Sequence, residues 1–375
     1  MHPHARIPEP LRLAEHAADE ALRRRAAESW RREERPRLLE LFRQHIYGRA
    51  PVGRPGSPRF DVTEESGGWM NGTATRKRIE LSFDGPGGTA VIRLLLFVPS
   101  TGEPQKAPAF LFLCNRERAH MDPDRRERSG FWPAEDLVAR GYAAAVFHVE
   151  DADPDYDDGF RNGAHGAFDP PGPRADDAWG AIAAWAWGAS RAMDYLETDP
   201  GIDASRVALA GHSRGGKAAL WGGAQDERFA LVASNNSGST GAAIARGKAG
   251  ETIADINRQF PHWFCERYKR YNGKEDDLPV DQHQLLALIA PRPLYVASAT
   301  EDAWADPEAE FMACVLASPA YRLLGRQGVS AELRPAPDTP LTGGGIGYHL
   351  RTGGHDLTRY DWQRFMDYAD LHMRG

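Results

Sequence analysis

The sequence predicts an α/β fold: a three-layer αβα sandwich around a mostly parallel central sheet, with a helical extension at the N-terminus. Two observations carry this. From about residue 75 onward, short apolar strand-like segments alternate with helix-prone ones, as right-handed crossovers between parallel strands require. The segment from Tyr142 to Val149 is continuously apolar, which suits a strand covered on both faces.

The elements follow in order. Residues from about 10 to 48 are polar and helix-prone, with Leu38, Leu39, Leu41, Phe42 and Ile46 at helical spacing. They read as helices on the outside of the main domain, so residues 1–55 are assigned to the extension and 56–375 to the main domain. Pro51 to Pro58 is a Pro/Gly loop. Strands are expected over Thr75 to Phe83, Ala90 to Pro99, Ala109 to Cys114 and Tyr142 to Val149, with a short helix over Glu135 to Arg140. Asp176 to Leu196 is helical, with Trp179, Trp185 and Trp187 largely buried. Strands follow at Arg206 to Ala210, Phe229 to Ser234 and Pro293 to Ala299, and a last helix runs from about Thr358 to His372. No internal repeat or low-complexity tract interrupts the pattern.

Composition narrows the function. Hydrophobic residues make up 41% and charged residues 26% of the 375, with a net charge of −7; no basic domain stands out, so a nucleic-acid partner is not expected. The arginines from Arg23 to Arg32 are interrupted by acids and read as a solvated helix face. No apolar run approaches the ~20 residues of a membrane span. The N-terminus has no apolar h-region. A cytoplasmic location is therefore expected for the chain as written, and a secreted or periplasmic one if a leader was trimmed. Cys114, Cys265 and Cys314 are far apart and odd in number, so they read as buried thiols and not as a disulfide or zinc framework. The acidic stretch Glu150 to Gly159 lacks calcium-loop spacing and reads as a solvated or lid-like loop. No metal or cofactor is implied.

The chemistry lies at Gly211-His212-Ser213-Arg214-Gly215. This Gly-x-Ser-x-Gly run falls between a buried strand and a helix opening, the context of a nucleophile elbow, where a strained turn lifts the serine hydroxyl above the sheet. The following helix N-terminus offers free N–H groups to an oxyanion. A serine needs a base, and the base an orienting carboxylate. In α/β hydrolases these follow the serine in the order acid, then histidine. Downstream histidines are His262, His283, His349, His355 and His372. His355 lies in a Gly-rich loop before the last helix and is the expected base; His349, in a strand-like segment, is the competitor, and His372 reads as solvated. The acid is sought after the strand ending at Ala299, where Glu301, Asp302 and Asp306 compete. Asp302 is the choice. Glu301 is expected to point outward, and Asp306, before Pro307, to cap a helix.

The longer run Gly211-His212-Ser213-Arg214-Gly215-Gly216-Lys217 resembles the Gly-Cys-Ser-Arg-x-Gly-Lys motif of the glucuronoyl esterases, carbohydrate esterase family 15. Asn236 to Gly241, Gly250-Glu251-Thr252, His262-Trp263-Phe264, Leu278 to His283, Ala287 to Pro293 and Gly354-His355 follow in that family's order, so the resemblance runs from about residue 85 to the end. It implies an α/β-hydrolase catalytic domain, with Ser213 as nucleophile, His355 as base and Arg214 as an oxyanion-holding cation worth ~10²–10³ in rate. It also implies a sugar site including Lys217, Glu251 and Trp304. The alternatives are a surface arginine at 214, an ordinary first-turn lysine at 217 and a core tryptophan at 304. One departure is clear. Fungal members carry a glutamate where this chain has Asn236, and an amide cannot be a charged orienting group, which moves the acid's role to Asp302. His212 in place of Cys removes any disulfide at the elbow, consistent with a reducing compartment.

The expected activity is therefore serine-dependent hydrolysis of esters of (4-O-methyl)glucuronic acid, on a small-molecule or oligosaccharide substrate. The rivals are an acetylxylan-type esterase on the same triad, and a carbohydrate-binding protein with a decayed site. An Asp302 placed far from His355 would favour the last.

Overall fold

The computed structural model describes Pro8 and residues 20–100, 106–247, 249–331 and 333–374. The sheet has nine strands: β1 (Arg59–Gly68), β2 (Ala74–Gly85), β3 (Gly88–Pro99), β4 (Ala107–Cys114), β5 (Ala143–His148), β6 (Ile202–His212), β7 (Leu231–Asn235), β8 (Leu294–Ala299) and β9 (Ile346–Arg351). Their order is β1-β2-β3-β5-β4-β6-β7-β8-β9. The β1–β2, β2–β3 and β3–β5 pairs are antiparallel. From β5 to β9 every pair is parallel.

β4 shows why this is a three-layer sandwich. All its residues are buried, and alternate side chains enter different cores. Ala109, Leu111 and Leu113 join the large cluster under the helices Ala181–Leu196 and Arg214–Gln225. Phe110, Phe112 and Cys114 join the cluster under Ala134–Ala139 and Arg359–Met373. A strand buried on both faces has no polar alternation. Trp179, Trp185 and Trp187 are buried, as are the three free cysteines.

Three expectations need adjustment. The helix after the acidic loop starts at Ala181, not Asp176; Gly180 lies so close to Trp263 that a Cβ there would stand 2.3 Å from its carbonyl oxygen. β1 escapes a sequence reading because this polar edge strand buries none of its residues. The N-terminal helical run over 20–47 is not simply an outer layer. Trp30, Leu38, Phe42, Ile46 and Tyr47 are fully buried in the main core, and the Tyr47 ring stacks on Trp221 at 4.5 Å. The helix-prone segment before Glu20 lies outside the described residues apart from Pro8.

The parallel strands end on one side, and their C-terminal ends lead into Asn115, Val149, Ser213, Asn236, Thr300 and Thr352. In α/β sheets ligands bind outside these carboxyl ends.

Candidate active site

β6 ends at His212, and the next residue turns the chain. Ser213 has φ 53° and ψ −124° and caps the helix Arg214–Gln225. A non-glycine residue at such a φ is strained and persists only when its surroundings hold it. Here the Ser213 N–H donates to Asn235 O at 2.8 Å, and its carbonyl accepts from the Lys217 N–H at 3.1 Å. A Cβ at Gly211 would stand 2.1 Å from Gly215 O, so strand and helix meet this closely only across glycine. The fold thus builds the elbow and aims the first free N–H groups of the helix at the same place.

His355, in the loop after β9, brings Nδ1 to 2.6 Å from Asp302 Oδ2. The same carboxylate oxygen accepts from Asn236 Nδ2 at 2.7 Å, and Oδ1 accepts from the Ala305 N–H at 3.3 Å. Burial pushes the Asp302 carboxyl up, but the hydrogen bond and attraction from His355, with the Asn236 bond, hold it below its ordinary value. Asn236 therefore supports the acid rather than replacing it. The three competing carboxylates separate cleanly. Glu301 is exposed. Asp306 caps the helix Pro307–Leu323 by accepting from the Ala309 N–H at 3.1 Å. Only Asp302 of the three meets the histidine among the described residues.

The other histidines are placed elsewhere. His349 is fully buried in β9, between Tyr295 and Asp361. His262 and His283 are buried. His372 is half-buried with Nε2 3.2 Å from Thr342 O, not solvated. His212, which sequence reasoning treated only as a missing cysteine, is buried with its ring 4.7 Å from that of His355. Its Nδ1 lies 2.6 Å from Asn235 Oδ1. Burial, then the neighbouring His355, hold its pKa well below the ordinary value, which favours its neutral form beside His355.

Ser213, His355, His212 and Arg214 line one cavity of about 400 Å³, together with Asn115, Arg116, His148 and Asp155. Arg214 is no free surface arginine. Its Nη2 donates to Asn115 O at 2.8 Å and its Nε pairs with Asp155. Asp155 also accepts from Trp263 Nε1 at 2.8 Å. The acidic loop, read as solvated or lid-like, is solvated only in part: Glu150, Tyr156, Asp157 and Gly159 are exposed, whereas Asp153 is buried 2.7 Å from His165 and Asp155 lines the cavity. Arg116 lies over the Phe131 ring at 4.4 Å and bonds Asp356 at 2.6 Å. Sequence reasoning missed Asn115, Arg116 and Asp155. The first two directly follow β4, so the rule about strand ends could have found them.

Lys217, Glu251 and Trp304 form a second group. Lys217 is buried, and Nζ donates to Ser237 O at 2.6 Å and Ser239 O at 2.7 Å. Burial lowers its pKa. Glu251 Oε2 stands 4.0 Å from that ammonium, and the Glu251 N–H donates to Trp304 O at 3.0 Å. Trp304 is 51% exposed, so the core alternative for it fails; Lys217 does lie near the start of the helix Arg214–Gln225, with its ammonium buried against Ser237 O and Ser239 O. Beneath the same turn sits Glu310, fully buried, accepting from Ser298 Oγ at 2.7 Å and the Gly238 N–H at 2.9 Å. Burial pushes its carboxyl up to about 7. Among the described residues no group of three or more His, Cys, Asp or Glu is arranged to hold a metal. No described helix is long and apolar enough to cross a membrane.

The geometry can be set beside known proteins. The chain is 40% identical over 381 residues to a carbohydrate esterase of an unknown prokaryotic organism, covering 93% of this chain and 87% of that one. A solved glucuronoyl esterase from Solibacter usitatus is 39% identical with a TM-score of 0.86, covering 92% and 94% of the two chains. A promiscuous CE15 esterase from a marine bacterial metagenome is 38% identical with a TM-score of 0.87, covering 99% and 98%. The chain belongs to the glucuronoyl esterases, carbohydrate esterase family 15. It is a carboxylic ester hydrolase with the α/β-hydrolase-type fold of that family. The glucuronoyl esterase model described as "Glucuronyl esterase, fungi" matches residues 143–325, a span that contains Ser213 and Asp302 and stops before His355. The fungal glucuronoyl esterases match over a shorter stretch. The 4-O-methyl-glucuronoyl methylesterase of Hypocrea jecorina is 38% identical over 156 residues, 39% of this chain and 34% of that protein.

Proposed function

We propose that this glucuronoyl esterase hydrolyses esters of (4-O-methyl)glucuronic acid through Ser213, His355 and Asp302. The observation that carries the reading is the shared cavity. A strained elbow serine and a histidine line it together, and that histidine turns its Nδ1 to a buried carboxylate 2.6 Å away. With Nδ1–H donated to Asp302, Nε2 is the nitrogen left to take the Ser213 proton. Ser213 Oγ attacks the ester carbonyl, and the new oxyanion is held by the helix N–H groups and the Arg214 guanidinium. His355 returns the proton to the departing alcohol. Water, deprotonated in turn by His355, then releases the uronic acid and restores the serine.

Arg214 suits this role because Asp155 and Asn115 O fix it at the cavity wall, so little reorganisation is needed as charge develops. Lys217, Glu251 and the exposed Trp304 are assigned to the sugar, with the indole as a stacking face and the charged pair as partners for hydroxyls. The relatives named 4-O-methyl-glucuronoyl methylesterases support this acyl group.

The test is hydrolysis of benzyl glucuronate and 4-nitrophenyl acetate by wild type and Ser213→Ala. Uronate-ester turnover that disappears in the variant is expected. Acetate turnover without uronate turnover would instead identify an acetyl-sugar esterase.

A further inference from the structure

Asn115 is 3% exposed and lines the catalytic cavity. Its Oδ1 is buried without a hydrogen-bond partner, and its Nδ2 donates to none of the described residues. Buried side-chain amides are nearly always paired. An idle one at the wall of an active site calls for a partner that arrives with the substrate.

The sheet places this amide beside the nucleophile. Asn115 directly follows β4, and β4 lies next to β6 with Leu113 opposite Gly211. Two residues beyond that pair, the two strands lead out of the sheet at Asn115 and Ser213. The main-chain oxygen of Asn115 accepts from Arg214 Nη2 at 2.8 Å, so amide and guanidinium share one anchor.

The amide also has a preferred orientation. A Cβ on Gly215 would stand 3.5 Å from both Cγ and Oδ1 of Asn115, so the amide packs on the first turn of the helix Arg214–Gln225. That helix end carries partial positive charge, which favours the oxygen there over the NH2 group. Nδ2 is the end left for a ligand. It offers two donors and no acceptor, which suits an oxygen gaining negative charge. The residues assigned to the sugar lie elsewhere: Trp304 follows β8, and β6 with Ser213 stands between β4 and β8.

We propose that Asn115 Nδ2 is a further donor to the oxyanion. As Ser213 Oγ bonds to the ester carbon, its proton passes to His355 and the carbonyl π pair moves onto oxygen. There Nδ2–H meets it beside Arg214 and the helix N–H groups. The pair returns to the carbonyl when the alcohol leaves. The proposal rests on the serine mechanism above and adds a residue to it.

The experiment is kcat and KM for benzyl glucuronate and 4-nitrophenyl acetate, with wild type, Asn115→Ala, Asn115→Asp, Arg214→Ala and the double variant Asn115→Ala/Arg214→Ala. The oxyanion is common to both esters, so Asn115→Ala is expected to lower kcat about 10²-fold on each, with little change in KM. Asn115→Asp keeps the shape and loses the donor, and is expected to lower kcat at least as far with Tm near wild type. In the Arg214→Ala background, Asn115→Ala is expected to cost a further tenfold or more. An unchanged kcat in Asn115→Ala, or an effect confined to KM for the glucuronate, overturns the proposal. So does the absence of any further loss in the double variant, since the side chain would then act only by placing Arg214. A wild type that hydrolyses the acetate and not the glucuronate overturns the uronate reading instead, and the acetate series alone then decides Asn115.

Discussion

His355 and His349 each face an aspartate across a short hydrogen bond, 2.6 Å to Asp302 and 2.8 Å to Asp361. Their surroundings differ in every other respect. His355 sits on a loop, its side chain 44% exposed, in the cavity that Ser213 also lines. His349 sits in β9 with no exposure, its second nitrogen 3.1 Å from the Tyr295 hydroxyl. Asp361 is further held by Arg351 and caps the last helix through Thr358. The first pair leaves Nε2 without a partner among the described residues; the second uses both nitrogens. A histidine–carboxylate pair can thus serve as a structural brace, and an unspent nitrogen in the cavity that Ser213 lines is what suits the first pair to the base role proposed for it.

Substitutions at the two histidines break this comparison most strongly. His355→Ala is expected to lower kcat about 10⁴-fold or more while its unfolding midpoint stays near wild type. His349→Ala should do the reverse, keeping the rate per folded molecule and losing Tm. Steady-state kinetics beside thermal melts read both.

The aspartates sharpen it. Asp302→Asn is expected to cost about 10⁴ in kcat by leaving the base in the wrong tautomer. Asp361→Asn leaves Arg351 with a buried, uncompensated charge and should destabilise by about 3–5 kcal/mol in urea titrations. Its pH signature is distinct. Burial raises the Asp361 carboxyl, but bonding and attraction to His349 and Arg351 leave it below the ordinary value. Its contribution is therefore present above about pH 4 and lost as pH falls through the depressed value, a loss the Asn variant should lack.

Arg214→Ala should lower kcat about 10²–10³-fold, with a smaller change in KM. An effect confined to KM would place the guanidinium on the ground-state substrate instead. The smallest effect is expected at Glu310. Burial raises its carboxyl to about 7, so the stability it contributes is full below about pH 4 and drains away as pH rises to about 7. Melts between pH 5 and 7 should fall less steeply for Glu310→Gln than for wild type.

The legible parts of this molecule are those decided locally. The elbow could be read because glycines, serine and the strand-to-helix switch all fall within a few residues. The strands that the sequence predicts are found because burial on both faces leaves unbroken apolar runs. Asp302 was separable from Glu301 and Asp306 only in part, since all three lie within six positions of one another, and loop geometry decides which one meets His355. Arg116, Asp155 and Glu310 were not read as site residues at all. Each belongs to an element far from Ser213 in sequence, and of the three only Arg116, directly after β4, carries a local mark in its place at a strand end. β1 was missed for the opposite reason, having too little burial to leave a pattern.

The most direct measurement is intact-mass trapping. The protein is mixed with excess benzyl glucuronate, quenched in acid within the first turnovers, and the adduct mapped by peptide mass. The account predicts a glucuronoyl adduct on Ser213 in wild type and His349→Ala, and none in His355→Ala. An adduct on another residue, or one formed equally well without His355, would contradict it.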